Sequence, residues 1–68
     1  MPRRLSSAEI VRIIAEHGFG FVTQKGSHQK FRTTEGRTVI VPADRREIPA
    51  GTMSSIIRQS GLDRALFR

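Results

Sequence analysis

An α+β fold of order α-β-β-β-α, with a three-stranded antiparallel sheet and two helices on one of its faces, is what this sequence predicts. Three observations carry that reading. A complete helix-start signal precedes an apolar stripe at helical spacing, three short segments of strand character follow between glycine turns, and a second amphipathic segment opens on a proline and closes on a glycine. At 68 residues the chain is expected to be one domain, 1–68. A chain of this size buries only about 60% of its unfolded surface, so its core is thin and has no room for a large cofactor.

The first helix is the best specified element. Ser6 and Glu9 fit a capping box, with Leu5 and Ile10 at the two positions of a hydrophobic staple. Ile10, Ile13, Ile14 and His17 recur at helical spacing, Val11 widens the stripe, and Gly18 supplies a left-handed stop. The expected helix has about three turns, with one face committed to the core.

Strand signals follow. Phe19 to Gln24 is aromatic and β-branched and runs into Lys25-Gly26; His28 to Thr33 alternates; Thr34-Glu35-Gly36 reads as a hairpin loop; Arg37 to Val41 is a third strand closed by Pro42. Two hairpins in succession make a meander. Ala43 to Glu47 reads as a charged loop, and Pro49 suits the first turn of a second helix. Met53, Ile56, Ile57 and Ser60 share one face of it, Gly61 ends it, and Leu62 is placed for the accompanying apolar contact. Asp63 can cap a last short turn carrying Leu66 and Phe67.

Twelve Lys/Arg against six Asp/Glu give a net charge of +6. Such a surplus implies a polyanionic partner: nucleic acid, an anionic membrane surface or an acidic protein. A membrane partner is not expected, because the basic residues do not line the polar face of one amphipathic helix. No apolar run approaches the roughly 20 residues needed to cross a bilayer. Met1-Pro2-Arg3-Arg4-Leu5 is basic but lacks the apolar stretch of a secretory signal. With no cysteine there are no disulfides or thiolate metal sites, which suits a reducing compartment. A cytoplasmic location is therefore expected.

The chemistry-bearing stretch is Gly26-Ser27-His28, which sets one histidine just after a glycine turn, among Lys25, Lys30 and Arg32. An imidazole can act as acid or base near neutral pH, and cationic neighbours bring phosphates to it. Strand alternation sends Phe31 to one face and His28, Lys30 and Arg32 to the other, in a row with steps of about 7 Å. A one-residue bulge would turn His28 inward. The plainer alternative is an ordinary exposed strand histidine.

His17, four residues after Ile13 in the last turn of the first helix, reads as structural and partly covered. No metal site is expected, since the two histidines sit on different elements and the acidic residues lack ligand spacing. Ser27 beside His28 is not a triad, because strand neighbours face opposite ways. Phe19, Phe21 and Phe31 read as core.

These residues also resemble a known family. Ser6-Ser7-Ala8-Glu9 before an isoleucine-rich helix, Gly18-Phe19, Gln24-Lys25-Gly26-Ser27-His28 with Phe31, Val39-Ile40-Val41-Pro42, Gly51-Thr52-Met53 with Ile56-Ile57, and Gly61-Leu62 are similar to the HicA toxins. The likeness runs from about Leu5 to Leu62. It implies a double-stranded-RNA-binding-like fold acting as an mRNA interferase, with its single catalytic histidine at His28, and a HicB-like antitoxin as partner. Thr23 and Ala50 stand where members often carry arginine and lysine.

The reading reached is a metal-independent, cofactor-free endoribonuclease toxin, with His28 catalytic and Lys25, Gly26, Ser27, Lys30 and Arg32 binding RNA. It is expected to be a monomer alone and a hetero-oligomer with its antitoxin. Two alternatives stay open: a non-catalytic RNA-binding module of the same fold, and a protein-interaction domain whose basic face meets an acidic partner.

Overall fold

Capping sets the first element. The computed structural model describes residues 4–68, and the start at Met1-Pro2-Arg3, read above against a secretory signal, lies outside the described residues. Helix α1, Ser7–Glu16, opens on the expected box: the Glu9 N–H donates to Ser6 Oγ at 3.2 Å, and the Ser6 N–H donates to Glu9 Oε1 at 2.8 Å. Leu5 and Ile10 are both in the core, with Ile14 one turn further on. Gly18, at φ 93°, turns the chain, so His17 already lies outside the helix as its C-cap. His17 is also exposed rather than partly covered, because the turn lifts its ring off the packed face; its Nδ1–H donates to the Ile13 carbonyl at 2.8 Å.

Three strands form one antiparallel sheet in the order β1 (Gly20–Lys25), β2 (His28–Arg32), β3 (Thr38–Pro42). Phe31 pairs with Val39, and Val41 lies two residues on; all are buried under α1 and the second helix, which both pack on β3. One apolar cluster joins them, from Leu5, Ile10 and Ile14 through Phe19 and Phe31 to Ile48 and Ile56. The sequence-predicted architecture is the observed one.

Pro42 extends β3 rather than standing beyond it, and the register explains why. Ile40, of the same parity, points its N–H off the free edge, to Gln59 Oε1 at 3.0 Å. At Pro42 the N–H would therefore face away from β2, so proline removes no ladder bond. Phe21 departs from the expected core. It is 59% exposed and touches Phe31 edge-on at 5.7 Å. The helices sit mainly over β3 and β1 packs chiefly on β2, so apart from the edge of Phe31 little covers that ring.

The loop after β3 is tied down by Ser7, a residue with no role in the sequence-level reading. Its hydroxyl donates to the Pro42 carbonyl and accepts from the Arg45 N–H at 3.0 Å, while its own N–H donates to the Arg45 carbonyl at 2.9 Å. The Ile48 N–H donates to the Leu5 carbonyl at 2.8 Å. Helix α2, Ala50–Ser60, then starts with Pro49 as its N-cap, one position ahead of the expected first turn. Ile56, Ile57 and Ser60 are buried, and Gly61 closes the helix at φ 69°. Asp63 accepts from the Ala65 N–H at 2.9 Å and caps a short 3-10 turn, Arg64–Leu66, after which Phe67 packs on the core. No helix of the described residues is long and apolar enough to cross a membrane.

Candidate functional site

A two-residue turn positions His28. Gly26 takes φ 57°, a conformation side chains resist, and Lys25 pairs with His28 across the turn. The Ser27 carbonyl accepts from the Ala43 N–H at 2.6 Å, and the Gly26 carbonyl accepts from Gln24 Nε2 at 2.9 Å. The turn is thus fastened to the end of β3. His28 opens the central strand, paired with Lys25 on one side and Pro42 on the other, with its side chain exposed.

Parity decides what lies beside it. Phe31 is buried under the helices, so His28, Lys30 and Arg32 project from the opposite, open face. A bulge does occur, but in β1, between Phe21 and Thr23, so His28 keeps its outward orientation. That bulge brings Lys25 into the site. Regular alternation from Phe21 would place Lys25 on the helix side; the shifted register sets Thr23 opposite Lys30 and Lys25 opposite His28. Directly opposed residues have Cβ atoms about 4.5–5.5 Å apart, so the Lys25 ammonium can reach whatever the imidazole touches. Arg32 is steadied by its pair partner, donating from Nε to Thr38 Oγ1 at 3.3 Å. Among the described residues, no side-chain hydrogen bond or ion pair engages His28, Lys25 or Lys30. All six sequence-predicted site residues, Lys25, Gly26, Ser27, His28, Lys30 and Arg32, fall on one hairpin and its open face.

On its other flank His28 borders a cleft of about 310 Å³ that sequence reasoning missed. Ile40 and Pro42 contribute from β3, Arg45 from the following loop, and Thr52, Ser55, Ile56 and Gln59 from α2. Thr52, Ser55 and Gln59 stand at i, i+3 and i+7, a polar stripe visible in the sequence. What the sequence could not show is that α2 lies along the β3 edge, which turns the stripe toward His28.

The arrangement can bind an anion with several cations and move a proton with one imidazole. It offers no carboxylate to orient that imidazole as a triad would, among the described residues. Nor do the described residues bring together three His, Cys, Asp or Glu side chains that could hold a metal ion.

The model for the HicA toxin of bacterial toxin-antitoxin matches residues 7–62, nearly the whole of the described chain. No curated protein matches the sequence.

Proposed function

Because the chain belongs to the HicA toxin family, we propose that it is the toxin of a toxin–antitoxin pair and acts as an endoribonuclease that cuts mRNA through His28. The observation that supports this most is the exposed imidazole flanked by cations from two strands on an uncovered sheet face. Phosphates of a single strand would lie along Lys30 and Arg32, whose steps of about 7 Å suit successive nucleotides. At His28 the RNA supplies its own nucleophile. The ribose 2′-oxygen bonds to the adjacent phosphorus as its proton passes to the imidazole, and the bond from phosphorus to the 5′-oxygen breaks. The leaving oxygen takes a proton from an acid, either water or the Lys25 ammonium opposite His28. The products are a 2′,3′-cyclic phosphate and a 5′-hydroxyl end, and no metal enters the balance.

Acid–base help of this kind contributes about 10²–10⁴-fold. Cations held where charge builds on the phosphorus oxygens supply the further stabilisation. A HicB-like antitoxin with an acidic contact surface would neutralise the toxin by covering the same face, competing with RNA for the same cations. The experiment is cleavage of RNA by the purified protein in excess chelator. Wild type should yield fragments ending in cyclic phosphate and His28→Ala should yield none; intact RNA in both would overturn the endoribonuclease reading.

A further inference from the structure

The cleft beside His28 has a composition that the hairpin's row of cations does not explain. Its floor is apolar, from Ile40, Pro42 and Ile56, while its α2 wall is a stripe of hydroxyl and amide groups and its mouth carries Arg45. A volume of about 310 Å³ is at the small end of the range for small-molecule sites, and an apolar floor with a few convergent polar groups is their usual make-up. Phosphate binding alone would need neither.

Two of the polar groups are held in place by the fold. Gln59 Oε1 is committed to the Ile40 N–H at 3.0 Å, which fixes the amide and leaves Nε2 as a donor with no partner among the described residues. Arg45 has both its N–H and its carbonyl bonded to Ser7, so the stem of its side chain starts from a fixed point at the cleft mouth. Thr52 to Gln59 spans about 10 Å along the helix, the length of one nucleoside.

We propose that this cleft is a nucleotide subsite. It takes one ribonucleotide flanking the phosphate held at His28, packs the base or sugar on Ile40 and Pro42, and holds that nucleotide's own phosphate with Arg45. Gln59 Nε2, with the hydroxyls of Thr52 and Ser55, reads the polar edge, which makes Gln59 a specificity-determining residue for the cut. This rests on the endoribonuclease reading for its link to cleavage, although not for the binding itself. The RNA strand then crosses the molecule from the row on β2, over His28, into the groove between β3 and α2.

Two measurements test it. In the first, His28→Ala protein is titrated with a short oligoribonucleotide containing all four bases, and backbone amide shifts are followed by NMR. Thr52, Ser55, Gln59 and Ile40 should move together with Lys30. Shifts confined to β1 and β2 would overturn the subsite. In the second, cut sites are sequenced from a randomised RNA. Gln59→Glu keeps an oxygen for the Ile40 N–H but replaces the donor with an acceptor, and should change base preference at one position beside the cut by about tenfold. Thr52→Val removes a hydroxyl at nearly constant volume and should shift the same position, which covers the case of an unfolded Gln59→Glu. Cut-site profiles that superimpose on wild type would overturn the assignment. An uncut randomised RNA with α2 shifts present would overturn the endoribonuclease reading and leave the nucleotide site standing; cutting with a silent α2 would do the reverse.

Discussion

Removing the Ser7 hydroxyl should destabilise this protein more than removing that of its neighbour Ser6, although each change deletes one oxygen and no carbon. That oxygen donates to the Pro42 carbonyl and accepts from the Arg45 N–H, and Ser7 is only 5% exposed. In Ser7→Ala both partners lose their bond. A buried polar group left unsatisfied costs about 1–3 kcal/mol. Arg45 is exposed and Pro42 half-buried, so water can reach both sides and each loss falls at the low end of the range, about 1–1.5 kcal/mol. The two losses together come to about 2–3 kcal/mol. At 68 residues the whole domain has roughly 3–10 kcal/mol to lose. Each kcal/mol moves the midpoint of a domain this small by about 4–8 °C, so the melt should fall by about 10–20 °C. Ser6→Ala is the comparison: it removes an N-cap worth about 1 kcal/mol. Circular dichroism melts and urea titrations with unchanged slope give both values. A Ser7→Ala melt within about 4 °C of wild type, or no lower than that of Ser6→Ala, would refute the accounting.

Other substitutions separate chemistry from fold. His28→Ala should leave the circular dichroism spectrum intact, since the side chain is exposed, while cleavage and growth arrest on expression disappear; full cleavage by the variant would remove the histidine from the mechanism. His17→Ala loses one exposed bond to the Ile13 carbonyl and should cost under about 1 kcal/mol in a melt, with cleavage by the folded protein unchanged. Lys30→Ala and Arg32→Ala should each weaken RNA binding evenly across sequences and flatten the plot of log affinity against log salt by about 0.7–0.9, the share of one phosphate contact. An unchanged slope would argue against those contacts. In the complex with a HicB-like antitoxin, His28 should be protected from imidazole modification, and association should slow as salt rises; an imidazole as reactive as in the free toxin would rule out occlusion.

Local signals were enough for most of the fold, because they act within a few residues. The Ser6–Glu9 box, the Gly18 and Gly61 stops and the Asp63 cap each operate through bonds to neighbours two to four positions away. Parity within five residues was enough to place His28, Lys30 and Arg32 on one face. What escaped depends on contacts made at long separation. Ser7 bonds across 35 and 38 positions, and Gln59 bonds across 19. No sequence pattern announces such pairs. Phe21 failed as core for a similar reason: its pattern is that of a buried strand, but burial needs a helix above it, and both helices settle over β3. The β1 bulge carries no glycine at Val22 to betray it, yet it decides that Lys25 joins the site.

The two edges of the sheet are treated differently, and the site follows from that difference. On β3 the free edge is closed by Gln59, and the strand's end is tied to Ser7 on one side and through Ala43 to Ser27 on the other. His28, paired with Pro42 and next to Ser27, therefore lies beside this anchored end of β3. On β1 the edge is open, and the strand is exposed along its whole length, with its bulge breaking the regular row of edge groups that would invite pairing. Groups that transfer protons must be held within a fraction of an ångström, whereas a cation that screens a phosphate acts over several. The imidazole sits on the anchored side of the hairpin turn and Lys25 on the loose side. Under the proposed mechanism His28 therefore suits proton transfer and Lys25 suits screening of the phosphate, which favours water over Lys25 as the acid for the leaving oxygen. Tightening β1 against a further strand would fix Lys25 without improving His28, while loosening the Ser27–Ala43 bond would disturb the imidazole first.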